Sequence, residues 1–394
     1  MDKGKKIILM VGSLLVMIVI LGLAVKAVLY PVKTVGSSIT PVVTEQTEKP
    51  PEVIENVPVE VKPQDNRPLA KIPVKVKGIY MSGVVFNVPK YFQNLVELVD
   101  RTELNALVID VKDDEGNLSD PFEIQVAEEI KAKVHPGMSD RDNLRILSEK
   151  NIYPIARIVV FKDPTLAEGK PEWALRKKTG GIWRDRTGLA WVDPHNRDVW
   201  KYTVDVAIEA AKYGFREIQF DYVRFPTDGD VKNAIYPFSD GKSKEDTIAE
   251  FLAYAKKELE PYNVYIAADV FGLTTTTTDD MGMGQKYEKI VTQVDYICPM
   301  LYPSHYRAGN YGFTNPNAHP YEVVKAALLD AQKKSAALQT QAIIRPWLQS
   351  FSLGSPKYGA EQIRAQIKAT YDSGLEEWIL WNAGNKYSES SLEH

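Results

Sequence analysis

Two carboxylates stand near the ends of successive apolar, strand-like runs. Asp221 lies in Glu217–Pro226 together with Arg224, and Asp269 lies in Val264–Gly272. Neighbouring parallel strands lie about 4.8 Å apart, so acids at the same ends of such strands can flank one substrate. Glycosidic bond cleavage needs a carboxylic acid to protonate the leaving oxygen and a carboxylate to act as nucleophile or to activate water. The sequence therefore predicts glycoside hydrolysis by Asp221 and Asp269, and the strand spacing favours retention over inversion.

The surroundings of the two acids suggest different roles. Asp221, with Arg224 and Arg157 expected nearby, should stay ionised and serve as the nucleophile. Asp269 precedes an apolar residue and then Phe271, and such surroundings would raise its pKa and suit the proton donor. The roles could also be exchanged. A simpler alternative is that Asp221 only forms a buried ion pair with an arginine, and that Asp269 only caps the threonine-rich loop after it.

Eight strand-like runs alternate with seven amphipathic helical segments from residue 77 onward. The runs are Gly78–Gly83, Ala106–Lys112, Tyr153–Phe161, Glu217–Pro226, Val264–Gly272, Tyr296–Pro303, Ala342–Phe351 and Glu377–Asn385. The helical segments are Tyr91–Arg101, Asp140–Lys150, Asn196–Tyr213, Ser243–Leu259, Gln285–Gln293, Tyr321–Leu338 and Ala360–Ser373. Strict alternation implies parallel strands, and eight strands close a (β/α)8 TIM-type barrel. We expect this barrel at residues 75–390, with the eighth helix absent or replaced by residues before the first strand.

In such a barrel the chemistry lies at the carboxyl ends of the strands. Because strand side chains alternate, we assign the polar phase of each strand to the barrel interior and place Trp381, of opposite phase to Asn382, in the core. Aromatic side chains in the upper loops could stack on sugar rings. The predicted substrate-binding residues are Asp110, Lys112, Arg157, Trp183, Arg224, Tyr302, His305, Tyr306, Arg345, Trp347, Gln349 and Asn382.

Other functions find little support in the composition. The net charge of −4 provides no basic field for nucleic acid. The single cysteine, Cys298, rules out an internal disulfide. Histidines lack zinc-type spacing, and phosphate-loop, dinucleotide and Gly-x-Ser-x-Gly motifs are missing, so we expect no metal and no cofactor. The acidic cluster Asp113, Asp114 and Glu115 could bind a cation, but a solvated loop is the simpler interpretation.

The amino terminus predicts export. Lys3, Lys5 and Lys6 precede an unbroken apolar run over residues 7–25, long enough to cross a bilayer. Residues 1–29 are therefore predicted to be a transmembrane signal anchor with a cytoplasmic amino terminus, although a cleaved signal peptide is the alternative. Residues 30–74, rich in Pro, Thr and Glu, are expected to be a disordered, extended linker. The catalytic domain would then lie outside the cell, anchored to the membrane or secreted.

Several motifs together resemble a bacterial family of glycosyl-hydrolase-like domains that are often secreted or anchored. They are Lys77–Tyr80, Val108–Asp113, Ile218–Pro226, Ala268–Gly272, Cys298–Tyr306 and Arg345–Gln349. The resemblance covers most of residues 75–390 and implies a TIM-type barrel that acts on a saccharide. By analogy with retaining barrel enzymes it implies a fourth-strand nucleophile at Asp221. Asp269 then matches a fifth-strand acid, a position where those enzymes often carry Glu.

Two functions follow from these observations. The first is a membrane-anchored extracellular hydrolase of a cell-wall or exopolysaccharide glycan, working with two carboxylates and without a cofactor. The second is a non-catalytic carbohydrate-binding barrel tethered at the cell envelope. Both interpretations share the aromatic residues and differ in the work assigned to the acids. A purely structural envelope partner, which would bind no glycan, is a third possibility.

Overall fold

The computed structural model describes residues 71–394, and the polypeptide of this range forms a closed parallel β-barrel surrounded by helices. The predicted signal anchor and most of the predicted linker, residues 1–70, lie outside the described residues. Within residues 71–394, no helix combines the length and the apolar character required to cross a bilayer.

The barrel has eight strand positions, as the alternation of the sequence predicts. They are β1 (Lys77–Met81), β2 (Ala106–Lys112), β3 (Tyr153–Val159), β4 (Glu217–Asp221), β5 (Tyr265–Phe271), β6 (Tyr296–Leu301), β7 (Ile343–Ile344 and Trp347–Gln349) and β8 (Trp378–Trp381). The strand β7 is interrupted at Pro346, because proline cannot donate a ladder hydrogen bond. Its first segment pairs with β6 and its second with both β6 and β8, and this pairing closes the barrel.

Each of the seven predicted helical segments contains a helix, and the sequence did not predict three further helices of five or six residues. The helices are α1 (Gly83–Asn87), α2 (Pro89–Arg101), α3 (Gln125–Glu129), α4 (Asp140–Glu149), α5 (Pro164–Gly169), α6 (Arg197–Tyr213), α7 (Lys244–Leu259), α8 (Tyr287–Ile290), α9 (Pro320–Leu338) and α10 (Ala360–Tyr371). Side-chain caps begin five of them, with Ser82, Ser139, Asp163, Asn196 and Ser243 each accepting a bond from a backbone N–H of the first turn. Gly214, at φ 119°, ends α6 in the left-handed region that favours glycine.

Where an eighth helix would lie, the carboxyl-terminal segment covers the barrel, and of the residues before β1 only 71–76 are described. The carboxyl-terminal segment packs between the first and last long helices. Glu389 forms an ion pair with Arg101 of α2, and the carbonyl of Ser390 accepts a bond from Arg364 of α10. Leu392 is buried in the main core and the Glu393 carbonyl accepts a bond from the Glu103 amide, so the segment seals the barrel side.

Two apolar clusters hold the barrel together, one between strands and helices and one inside the barrel. A charged layer fills the lower interior, where Arg345 forms ion pairs of 2.7 Å with Glu217 and 2.8 Å with Glu377. These side chains are buried and lie at the amino-terminal ends of their strands. Replacing one member alone would leave a buried charge without its partner, which is strongly destabilising. The layer therefore forms a closed floor under the upper, polar end.

Candidate active site

A cavity of about 250 Å³ opens at the carboxyl ends of the strands. Eight of the residues predicted from the sequence line it, namely Arg157, Asp221, Arg224, Asp269, Tyr302, His305, Tyr306 and Trp347. Six further residues complete the lining: Tyr222, Phe271, Gly272, Leu273, Met300 and Trp381. Its position is the one where TIM-type barrels carry their chemistry.

Asp221 is the last residue of β4 and is held from both sides. Its Oδ2 accepts bonds from Arg157 Nη2 at 2.5 Å and Nε at 3.0 Å. Its Oδ1 accepts the backbone N–H of Tyr222 at 2.6 Å. Tyr222 has φ 49°, a left-handed conformation that is uncommon outside glycine and that turns its amide back toward the carboxylate. The side chain of Asp221 nevertheless keeps 11% of its surface exposed, facing the cavity.

Asp269, on β5, is more deeply buried and is 1% exposed. Its Oδ1 accepts bonds from Gln219 Nε2 at 2.5 Å and from Trp347 Nε1 at 2.6 Å. Burial and then the nearby charge of Asp221 hold the pKa of Asp269 well above its usual range, against the opposing effect of Arg157. Within residues 71–394 no hydrogen bond reaches Oδ2, so this oxygen is the one available to carry a proton.

The two acids are register neighbours. Gln219 and Phe220 of β4 pair with Ala267 and Ala268 of β5, and one further step along both strands leads to Asp221 and Asp269. Parallel strands lie about 4.8 Å apart, which matches the carboxyl separation of about 5–5.5 Å in retaining glycosidases better than the about 6.5–9.5 Å of inverting ones. Gln219 lies below the pair and contacts Asp269 from the β4 side.

A third carboxylate supports the pair from behind. Asp110 on β2 accepts a bond of 2.5 Å from Arg157 Nη1 and another of 2.5 Å from the Tyr80 hydroxyl. Burial raises the pKa of Asp110 to about 6, although Arg157 opposes the rise. Arg157 therefore bridges Asp110 and Asp221 and fixes the orientation of the Asp221 carboxylate.

Aromatic rings form one wall of the cavity. The Trp381 ring lies 4.1 Å from the Tyr80 ring and 5.5 Å from the Trp347 ring, measured between centroids. The Arg157 guanidinium lies 5.3 Å from the Trp381 ring, which closes the space between the wall and the acids. Tyr302, 5.5 Å from Phe351, continues the wall toward the rim. Rings in such positions suit the apolar faces of pyranoses.

Arg224 lies on the opposite side, surrounded by rings. Its guanidinium lies 4.9 Å from the Trp191 ring and 5.1 Å from each of the Tyr222 and Phe271 rings. Its Nη1 donates to the Phe225 carbonyl at 3.1 Å. Of the two arginines expected near Asp221, Arg157 forms the ion pair and Arg224 does not.

A β-bulge explains why Lys112 lies outside the cavity. Asp110 pairs with Arg157, but Lys112 pairs with Ile158, so the alternation of β2 is shifted between them. The shift directs Lys112 toward the helices, where it is fully buried in an ion pair of 2.6 Å with Asp163. The assumption of unbroken alternation was wrong at this point.

Arg345 points into the barrel as expected, but at its floor rather than its top, because it precedes Pro346 near the start of β7. Gln349 is buried beside the cavity, where its side chain accepts from the Ser304 amide and donates to the Phe351 carbonyl. Gln349 therefore orders two upper loops and does not line the cavity.

In β8 the side chains that face the barrel interior are the ones predicted to face outward: Trp381 faces inward, and Asn382 does not. Gly78 pairs with Ile379 and Ile79 with Leu380, so the inward-facing Tyr80 lies beside Trp381. Asn382 follows the strand and donates to the Ser350 and Lys386 carbonyls in a turn. The reason is that the run is apolar on both faces, and the polar Asn382 gave a false indication of the inward side.

Trp183 supports a loop instead of lining the cavity. It is 1% exposed, and its Nε1 donates to the Asp230 carbonyl at 2.9 Å. The long segment after β3 is folded onto the loop after β4 through an antiparallel pair of Arg176–Lys177 with Ala234–Ile235. Trp191, on the same segment, lies beneath Arg224 and donates to Asp185 at 3.0 Å.

The acidic cluster after β2 is already engaged. Asp113 accepts from the amides of Glu115 and Asn117 and contacts His135 at 3.0 Å, while Asp114 pairs with Lys162 at 2.8 Å. In the part of the chain that the structure describes, no group of three or more His, Cys, Asp or Glu side chains is placed to hold a metal ion.

Comparison with solved structures identifies the same architecture elsewhere. The glycoside hydrolase domain of PgaB (BpsB) from Bordetella bronchiseptica has a TM-score of 0.59 at 11% identity, over 79% of this chain and 95% of that chain. The α-L-fucosidase isoenzyme 2 from Paenibacillus thiaminolyticus has a TM-score of 0.54 at 13% identity, over 81% and 48%. A hypothetical protein from Ruminiclostridium thermocellum is 38% identical over 52% of this chain and 98% of that chain, with a TM-score of 0.45. A comparison with curated proteins found no match.

The sequence comparison agrees with the fold and covers nearly the whole barrel. Residues 78–387 match the family described as "Putative glycosyl hydrolase domain". This range begins in β1 and ends after β8, so it includes all the strands that carry the cavity. The chain belongs to this glycosyl hydrolase domain family.

Proposed function

We propose that the chain is a retaining glycoside hydrolase in which Asp221 is the nucleophile and Asp269 the proton donor. One observation carries the proposal. Two carboxylates at register-adjacent positions line a single cavity, one held by an arginine and the other buried with a raised pKa. Two carboxyl groups in contrasting environments are what the paired acid and nucleophile require.

The first half of the reaction forms a covalent intermediate. The Asp221 carboxylate attacks the anomeric carbon while protonated Asp269 gives its proton to the departing glycosidic oxygen. The bond to the leaving group breaks and an ester forms between the sugar and Asp221. In the second half, the Asp269 carboxylate removes a proton from water, and that water attacks the anomeric carbon. The ester breaks, and both carboxyl groups return to their starting states.

Neighbouring groups suit these steps. The N–H donors of Gln219 and Trp347 reach Oδ1 of Asp269, so they stabilise the anion that remains after proton transfer. Arg157 keeps Asp221 oriented, and Asp110 with Tyr80 anchors Arg157 from the far side. The donors are held in place by the barrel strands, which limits the reorganisation that charge movement would otherwise require.

A cell-envelope glycan fits the chain as a substrate. A cavity of about 250 Å³ is at the small end for ligand sites and suits about one sugar ring against the aromatic wall. The Bordetella domain with the same fold is named as a glycoside hydrolase domain. The apolar run over residues 7–25 supports anchoring in the membrane with the barrel outside. Cleavage of the barrel by protease added to intact cells would test this location, and protection of the barrel would refute it.

One observation favours a second candidate, a non-catalytic carbohydrate-binding barrel. Asp221 already accepts three hydrogen bonds from Arg157 and Tyr222. An aspartate engaged in this way could serve only to close the barrel top, leaving the aromatic wall to bind glycans. The two candidates differ in whether glycosidic bonds break.

The deciding experiment measures release of reducing ends from cell-wall and exopolysaccharide preparations. Wild type should release them, and D221N and D269N should lower the rate by about 10³-fold or more while still binding the glycan, because each lacks one reacting group. D198N, at an exposed position on α6, is the matched control and should retain full activity. Binding without release by wild type would establish the non-catalytic alternative.

A further inference from the structure

Arg224 is a cation inside the cavity without an anionic partner. It is 7% exposed, and in residues 71–394 no carboxylate oxygen lies within ion-pairing distance of its guanidinium. Three acids act on Arg224 through space, in the order Asp221, Asp228 and Asp185, and none of them forms an ion pair with it. Asp221 is held by Arg157, and Asp185 accepts from Trp191 and from the Thr187 and Leu189 amides. Burying a charge without a partner is costly, so such a residue calls for an explanation from function.

The orientation of the Arg224 side chain provides a functional explanation for its burial. Only Nη1 has a hydrogen bond within the described chain, to the Phe225 carbonyl. The Nε and Nη2 groups are not enclosed by protein, and the side chain lines the cavity, so these donors face the space in which substrate would lie. Rings of Trp191, Tyr222 and Phe271 surround the guanidinium and restrict its movement. A rigid, planar pair of free N–H donors matches the two oxygens of a carboxylate.

The remaining charges of the cavity do not supply that anion. Arg157 is shared between Asp110 and Asp221, and Asp269 favours its protonated form. These charges balance overall, two arginines against Asp110 and Asp221, but the Arg224 guanidinium has no carboxylate of the described chain within ion-pairing distance. Because Arg224 carries a single positive charge, a singly charged group matches it better than a phosphate dianion would.

We propose that the cavity selects a sugar carrying a carboxylate, which pairs with Arg224. This inference rests on the proposed function for the identity of the cavity as a glycan site. Two sources share the required chemistry, a uronic acid with its carboxylate on the ring and an N-acetylmuramic acid with a lactyl ether. The Arg224 fork binds the carboxylate while the aromatic wall across the cavity holds a ring face.

Binding to a variant that cannot turn over separates this inference from catalysis. D269N is suitable because Asn retains an Oδ1 that can accept from both Gln219 and Trp347, and because burial raises the pKa of Asp269, so that a neutral side chain is tolerated at this position. Calorimetry on the full chain would compare four probes. They are oligogalacturonate, the same oligosaccharide after carboxyl reduction, a muramic-acid-containing glycan strand, and that strand after carboxyl reduction.

We expect one of the two carboxylate probes to bind about 30-fold or more tightly than its reduced counterpart, as for other buried charge pairs. Adding R224M should abolish that difference, R224K should restore part of it, and R197M, on exposed α6, should leave it unchanged. The better of the two native probes identifies the source of the carboxylate. Equal affinity for native and reduced forms in both pairs would overturn the proposal, as would a preference that survives in R224M.

The two proposals can fail separately. If wild type hydrolyses neither native probe but the carboxylate preference and its loss in R224M are observed, the catalytic proposal fails and the selectivity stands. If wild type hydrolyses native and reduced forms at equal rates and D269N binds them equally, hydrolysis stands and the selectivity fails. Thermal melts of R224M and R224K would show that both variants are folded.

Discussion

The indole N–H of Trp347 should set the upper pH limit of activity. Its Nε1 donates to Asp269 Oδ1 at 2.6 Å inside a buried site. This bond favours the charged carboxylate, and it opposes the burial that raises the pKa of Asp269. Substituting W347F removes the donor and retains an aromatic ring. The pKa of Asp269 should therefore rise further.

The size of the effect follows from the bond. A hydrogen bond to a charged group contributes about 1.5–3 kcal/mol, and one pKa unit corresponds to about 1.4 kcal/mol. The loss should raise the pKa by about 1 to 2. As a proton donor Asp269 must be protonated in the free enzyme, so activity is lost as the pH rises through its pKa. A higher pKa moves the basic limb of the kcat/KM profile to higher pH by the same amount.

The assay is a pH profile of kcat/KM for wild type, W347F and W381F. Trp381 lines the same cavity and contacts Trp347, but its indole has no bond to Asp269, so W381F controls for the loss of aromatic surface. A ¹³C titration of labelled aspartate carboxyls follows the same group without turnover. An unmoved basic limb in W347F, or an equal movement in W381F, would refute the assignment of Asp269 as proton donor.

Three further predictions concern the groups around the site. R157M leaves Asp110 and Asp221 without their shared cation and should lower the free energy of unfolding by about 3–5 kcal/mol in denaturant titration. An unchanged denaturation midpoint would show that the Asp110–Arg157–Asp221 ion pair does not stabilise the fold. R345M should cost a similar amount at pH 8 and less at pH 5. Burial raises the pKa of Glu217 and Arg345 opposes that rise, so the pKa rises further in R345M, and stability gained from a raised pKa in the folded state is lost as pH rises. Equal loss at both pH values would contradict this. G272A places a Cβ 2.5 Å from the Met300 carbonyl and 2.6 Å from the Tyr306 hydroxyl, so it should cost about 1–3 kcal/mol and reduce glycan binding. G359A, whose nearest atom is 3.9 Å away, should leave glycan binding unchanged, although Ala is a poorer N-cap than Gly for α10.

The architecture could be predicted because its signals are local and repeated. Each strand run is continuous and apolar, and the long helices are amphipathic, so the alternation indicated a parallel barrel. The carboxyl-end rule then placed Asp221 and Asp269 at the same end of neighbouring strands, where both line the cavity.

The rest depended on pairings between distant strands. The predicted inward direction of the Lys112 side chain was wrong because of a β-bulge, and this bulge is visible only in the register of β2 against β3. Trp381 was assigned to the core because it is of opposite phase to Asn382, and only the pairing of β8 beside β1 shows that it faces the cavity. Aligning β8 with β1, in which Tyr80 faces inward, could have shown that Trp381 faces inward as well. Arg345 lies at the floor of the barrel because β7 is interrupted at Pro346. The sequence shows this proline, but its effect on the position of Arg345 along the barrel axis becomes visible only in the closed barrel.

The covalent intermediate gives the most direct test of the account. Wild type would be quenched during turnover of a glycan bearing a slowly hydrolysed glycosyl unit, digested, and measured by mass spectrometry. The two-carboxylate mechanism predicts one glycosyl unit added to Asp221, no adduct in D221N, and a first-formed product that keeps its anomeric configuration. An adduct on another residue, or a product of inverted configuration with no adduct, would contradict the assignment of Asp221 as nucleophile.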